Sequence, residues 1–176
     1  MEVLKIILLS IGSAIFFGII HDQMTARVCV EYFTIGHPPV FNTDSPTLLA
    51  FGWGIIATWW VGLILGVPMA SAARLGAYPK MKARALIRPI AILLCCMGCI
   101  CLVAGISGYL AASAGVVWLL EPMNSLISPE RHVVFIADLW SHLAAYGSGF
   151  VGGLILCRRI WKCRVRQASA GIQTTQ

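Results

Sequence analysis

Charge is what this sequence has least of. Of its 176 residues, 13 are Lys or Arg and 7 are Asp or Glu, so 11% carry charge, against about 25% in an ordinary soluble domain. Hydrophobic residues make up 59%, and the mean hydropathy is +0.83. That balance excludes a soluble domain of the usual kind and places the chain among membrane proteins. No metal-ligand spacing of the His-Glu-x-x-His type occurs, so no metalloprotease helix is encoded. Basic surface interleaved with aromatics is also missing, which excludes nucleic acid as a partner despite the formal charge of +6. The seven cysteines do not make a disulfide framework. Cys95, Cys96, Cys99, Cys101 and Cys157 lie in apolar runs, Cys163 lies in a basic tail, and Cys29 alone is expected to face an oxidising compartment.

What is present is four apolar runs. The first expected span is residues 3–21, read as an uncleaved helix because isoleucine next to His21 suits signal-peptide cleavage badly. Residues 22–36 read as a short surface helix or irregular cap, ended by His37-Pro38-Pro39. Ser45-Pro46 is an N-cap followed by a first-turn proline and opens the second span, 46–73, which Pro68 is expected to kink. Trp53, Trp59 and Trp60 on it read as lipid-facing or interfacial aromatics. The third span is 89–112, with a turn or interfacial segment beyond it. Ser128-Pro129-Glu130 opens the fourth, 130–157, and residues 168–176 read as a flexible cytoplasmic tail. Arg74, Lys80, Lys82, Arg84 and Arg88 crowd one connection. Arg158, Arg159, Lys162, Arg164 and Arg166 follow the last run. Basic residues beside spans mark the cytoplasmic side, so both termini are expected inside and the 21–46 and 121–131 connections outside.

The expected fold is therefore all-α: one polytopic domain, residues 1–167, with four transmembrane helices in a compact bundle. Gly62/Gly66, Gly105/Gly108 and Gly149/Gly153 suit close helix packing in lipid.

The polar residues that interrupt this pattern are candidates for a site. His21 lies sixteen residues after Lys5, and His142 sixteen before Arg158, about 24 Å of helix each. If Lys5 and Arg158 mark one boundary, both histidines reach one level, in the outer part of a hydrocarbon layer about 30 Å thick. The two imidazoles are then expected within about 10 Å, close enough for a shared metal or a water-bridged network. Asp138, His142 and Tyr146 recur every four residues and form one helix stripe. An ionisable residue in a span is costly and faces the bundle interior.

Imidazole with carboxylate selects a divalent metal, zinc or iron. The candidate ligands are His21, Glu31, His37, Asp138 and His142, with Asp22 as a ligand or a hydrogen-bond partner of one. His132 falls on another helix face. Haem between His21 and His142 is a less favoured cofactor. The structural alternative is that Asp138 pairs with His142, or bridges to Arg27, and only glues helices. Cys96 and Cys99 have redox-motif spacing but lie mid-span without charged neighbours, so the cysteine cluster reads as packing.

The stretches His21-Asp22-Gln23, Val28 to Pro38, Gly52-Trp53-Gly54 and Trp59-Trp60-Val61-Gly62 resemble an uncharacterised family of small bacterial four-helix integral membrane proteins. The resemblance extends over residues 18–156 and implies a bacterial membrane protein, with no role for any residue. Together these readings give an inner-membrane protein with an outward-facing His/Asp/Glu site for a small-molecule or lipid-soluble substrate. The alternatives are a transport or permeation unit, or an assembly subunit. Against transport, no span is expected to break at its centre.

Overall fold

A computed structural model describes residues 1–173, with side chains as far as Ala170. Among the described residues every regular element is helical: α1 (Glu2–Val28), α2 (Glu31–Thr34), α3 (Pro46–Ile56), α4 (Trp59–Arg74), α5 (Arg84–Ser113), α6 (Met123–Leu126), a 3₁₀ turn (Pro129–Arg131) and α7 (His132–Gln173). Four stretches are long and apolar enough to cross a membrane: Glu2–Val28, Pro46–Arg74, Arg84–Ser113 and Pro129–Ala170. Each contains one expected span and runs past its bounds.

The overruns have physical causes. Asp22, Thr25 and Arg27 do not end α1, because a helix closes its own backbone hydrogen bonds whatever its side chains carry. Arg27 folds back to donate to the Gln23 main-chain oxygen, to Gln23 Oε1 and to Thr47 Oγ1. The helix ends at Cys29, whose backbone is extended. The cap expected over 22–36 thus shrinks to the single turn of α2. At the far end α7 continues through Gln173, so residues 168–173 are helical where a flexible tail was expected. Residues 174–176 lie outside the described part.

The second span differs most from expectation. It is interrupted at Ala57-Thr58, with 11 residues of α3 before the break and 16 of α4 after it. Thr58 Oγ1 donates back to the Gly54 carbonyl, a local bond that competes with the helix ladder. The break lies near the middle of the span, against the expectation of four unbroken crossings. Pro68, by contrast, sits within α4 without ending it.

α1 packs along α3 and α4, α5 packs along α7, and contacts between α4 and α7 join the two pairs. Glycine permits the first seam. A Cβ added at Gly54 would lie 2.7 Å from the Ile19 backbone, and one at Gly62 would lie 2.6 Å from Ile11 Cα. In lipid such close backbone approach is the main source of helix association, because exposed and packed side chains are equally apolar. One apolar cluster holds the basic end of the bundle, including Ile6, Met69, Leu86, Ile90 and Leu156. Two smaller ones, around Phe33 with Trp53 and around Cys29 with Phe135, close the other end.

Two further expectations need correction. Trp53 is 8% exposed and belongs to the core, whereas Trp59 and Trp60 do face outward. Of the cysteine cluster only Cys101 is buried. Cys95, Cys96 and Cys99 lie on the outer face of α5 and are not packing residues. All seven cysteines are free.

Candidate metal centre

α1 and α7 do not run along each other; they meet through polar side chains at one level. His21 and Asp22 come from α1 and His142 from α7. The His21 and His142 rings touch edge to face with centroids 4.6 Å apart, inside the separation of about 10 Å expected from equal helix rise.

Asp22 stands between them. Its Oδ1 lies 3.3 Å from His21 Nδ1 and 3.3 Å from His142 Nε2. One ligand atom from each residue fits within a sphere of contacts no longer than 4.8 Å, so the group could hold a metal ion. The side chains are 9%, 8% and 10% exposed for His21, Asp22 and His142, which leaves them little water.

The outer nitrogens of both rings are occupied. His142 Nδ1 donates to the Asp138 main-chain oxygen at 3.0 Å. Asp138 Oδ1 is also 3.1 Å from that nitrogen, yet the N–H is aligned with the carbonyl, and neither carboxylate oxygen of Asp138 has a hydrogen bond. His21 Nε2 meets Ser141 Oγ at 3.0 Å. The His142 ring stacks on Tyr32, centroids 4.2 Å apart, so its plane is held as well as its edge.

Not every candidate joins this group. Asp138 touches it through His142 only. Glu31 turns away into a two-pronged bridge with Arg131, 2.9 Å at Nε–Oε1 and 3.0 Å at NH2–Oε2, and it accepts from Cys29 Sγ at 3.3 Å. Burial alone would raise the Glu31 carboxyl, but the Arg131 and Cys29 hydrogen bonds hold it below its ordinary range. The same surroundings push the Cys29 thiol up to about 12, by burial first and then by the neighbouring Glu31, so it is not a reactive thiol. His37 donates from Nδ1 to the Tyr32 carbonyl at 2.8 Å and packs on Trp53, outside the ligand group. His132 Nε2 donates to the Ile127 carbonyl. No Asp138–Arg27 bridge forms; Arg27 is committed to Gln23 and Thr47.

Four residues near the site were not singled out as candidates from sequence: Ser141, Tyr32, Arg131 and, as a core residue, Trp53. Ser141 was findable, because it follows Asp138 by three and so shares its helix stripe. Arg131 and Tyr32 carry no periodic signal, since their partners are a hundred residues away in sequence.

A cavity of about 100 Å³ adjoins the three ligands and runs inward past Phe17, Thr58, Leu65 and Met97 to Ser10. The break between α3 and α4 forms part of its wall. Across it, Tyr146 Oη donates to the carbonyl of Ala57 at 3.4 Å.

No protein-family model, curated protein or solved structure matches this chain.

Proposed function

We propose that this is a multi-pass protein of the bacterial inner membrane that binds zinc or iron through His21, Asp22 and His142. At that site, on the outward half of the bilayer, it acts on a small or lipid-soluble substrate. One observation carries the reading. His21, Asp22 and His142 each bring one ligand atom to within 4.8 Å of the others, and the Asp138 carbonyl accepts from His142 Nδ1, which turns Nε2 towards the Asp22 carboxylate oxygen at 3.3 Å. Either a second ring proton or a metal ion between Nε2 and the carboxylate satisfies both groups, and the metal is the reading proposed. The spacing supports a metal in that role. Ligand atoms about 2.0–2.1 Å from a tetrahedral zinc stand about 3.3–3.4 Å from one another, and two edges of this ligand triangle are 3.3 Å. Two histidines and one carboxylate are also the donor set of many iron sites with open positions.

Zinc or iron with open positions supplies Lewis acidity towards a substrate oxygen. The chain's own residues do the rest. Asp138 and Ser141 orient the two imidazoles, Tyr32 fixes the His142 plane, and the apolar cavity admits a neutral molecule and excludes charged ones. The edge-to-face contact of the two rings favours a single ion over haem, since a porphyrin needs space between its axial ligands.

The test is elemental analysis of protein purified in detergent through a tag without histidine. About one zinc or iron per chain is expected, lost on His21→Ala, Asp22→Ala or His142→Ala and retained on Glu31→Gln. A wild-type protein that stays metal-free when zinc and ferrous iron are supplied removes the reading, and leaves a protonated His142 held between two aspartates.

A second reading, permeation, is favoured by the break at Ala57-Thr58 beside the cavity, because spanning helices are interrupted where backbone lines a path. Metal flux into liposomes carrying the protein, abolished by His142→Ala, would select it.

A further inference from the structure

The bundle has a second place where unlike chemistry meets, at the opposite, basic end. A groove of about 850 Å³ lies between α5 and α7. Its deeper part is apolar, with Ile92 and Leu93 on one side and Ile155 on the other. Its outer part is lined by Arg159, Lys162 and Arg166. Those three follow one another at i, i+3 and i+7, so on a helix turning about 100° per residue they fall within about 60° of each other. All three are exposed, and among the described residues none has a hydrogen-bond or ion-pair partner.

Arg164 shows that this is not simply how basic residues behave here. It sits on another face of the same helix and is fully buried. Its guanidinium donates to four carbonyls, those of Ala72, Leu75, Tyr78 and Pro79. Positive-inside topology asks for cations after the last span. It does not ask that three of them share one stripe, or that this stripe continue the wall of an apolar groove.

We propose that the groove binds an anionic phospholipid of the inner leaflet. Its acyl chains lie between α5 and α7, and its phosphate meets Arg159, Lys162 and Arg166. The lengths agree. From Gly152, at the deep end of the groove, to Arg159 is seven residues, about 10 Å of helix, in a hydrocarbon leaflet of about 15 Å. Lys162 and Arg166 then stand at the level of the headgroups. A free phosphate would satisfy the cations and leave the apolar wall empty. A second copy of this chain would bring the same positive stripe against its own kind. An anionic lipid fills both parts, as basic pockets between helices on the cytoplasmic side do. The proposal is independent of the metal reading.

The experiment is thermal unfolding and native mass spectrometry of the intact protein in mild detergent. The added probes are phosphatidylglycerol, phosphatidylcholine and inorganic phosphate, each alone. Phosphatidylglycerol should raise the unfolding temperature and remain bound, phosphatidylcholine should do so much less, and inorganic phosphate should do nothing. Arg159→Gln, Lys162→Gln and Arg166→Gln should each weaken the anionic lipid roughly fivefold, and the triple variant should lose the preference. Replacing Lys80, Lys82 and Arg84 by Gln should leave the preference intact. Cys96→Phe, which fills the groove without touching a charge, should weaken both lipids. Equal stabilisation by the two lipids overturns the proposal. So does an anionic preference that survives the triple variant, or one that follows the 80–84 cluster instead. A response to inorganic phosphate alone reduces the site to an anion contact, and a lipid-independent dimer assigns the groove to self-association.

Discussion

Asp138→Asn should move two properties of this protein in opposite directions. The carboxylate is fully buried, with its side chain 0% exposed; His142 Nδ1 lies 3.1 Å from Oδ1, but its N–H is bonded to the main-chain oxygen and neither carboxylate oxygen accepts a hydrogen bond. An unsatisfied buried polar group costs about 1–3 kcal/mol, and more when charged. The isosteric amide removes the charge but still lacks partners, so the metal-free protein should gain about 1 kcal/mol. Metal binding should suffer. Removing the outer partner of a metal-binding histidine typically weakens affinity about 10–100-fold. Here the Asp138 main-chain oxygen continues to accept from His142 Nδ1 at 3.0 Å, so the lower figure applies: about tenfold, or about 1.4 kcal/mol. Tryptophan fluorescence during heating of the chelator-treated protein reads the first quantity. Competition against a chelator of known zinc affinity reads the second. A variant that binds metal as tightly as wild type would show that Asp138 does not orient His142. A metal-free variant less stable than wild type would show that the carboxylate is a structural partner, and the argument from its isolation would fail.

Three other outcomes follow from the geometry. Arg164→Ala strips the donor from four carbonyls, two of them in the last turn and cap of α4, and should cost about 3–5 kcal/mol, with Arg164→Lys between it and wild type; a loss under about 1 kcal/mol in detergent unfolding would show that these four bonds do not hold the end of α4. The Glu31–Arg131 bridge holds the Glu31 carboxyl below its ordinary range, so its contribution is complete above that range and disappears as pH falls through the lowered value. Glu31→Gln should therefore cost about 1 kcal/mol at neutral pH and nothing once the pH is below the lowered value, and a constant penalty across pH would contradict it. Reporter fusions at Lys80 and Gln176 should read cytoplasm and one after Asn42 the exterior; an exterior signal at Lys80 would reverse the assignment of sides.

The helices were legible because hydropathy and punctuation agree. Pro46 and Pro129 open their helices as expected, and each of the four apolar runs is helical over its expected span apart from the break at Ala57-Thr58. The meeting of His21 with His142 was legible for a geometric reason: helix rise converts residue spacing from a basic flank into depth. Depth does not give azimuth. Both Glu31 and Asp22 are acidic residues of the same polar stretch, yet one faces Arg131 and the other the two histidines. Spacing along one helix could not choose between them. The break at Ala57-Thr58 left no trace either, since it contains no proline or charge and depends on Thr58 bonding back to Gly54 and Tyr146 reaching Ala57 across the bundle. The exposed cysteines were misread for a similar reason. A small apolar residue in a span suits the lipid face as well as the core, and composition does not separate the two.

Three costs to stability fall in one layer of this bundle. The Asp138 carboxylate is buried without a hydrogen bond, the second span is broken at Ala57-Thr58, and a cavity of about 100 Å³ adjoins that break and the three ligands. A polar cluster that only fixed helix register would need none of them, because a single satisfied pair specifies register and packs without a void. Each cost has a use if a ligand works at His21, Asp22 and His142. The Asp138 carboxylate lies beside the ring that would bind the ion, the broken helix makes space beside the site, and the cavity leads to it. Natural chains keep local violations of packing and hydrogen bonding mainly where function demands them. The rest of the bundle, held by glycine seams and apolar contacts, shows that this sequence can pack without such violations. Their concentration around three ligands from two helices therefore favours a working site over a structural one.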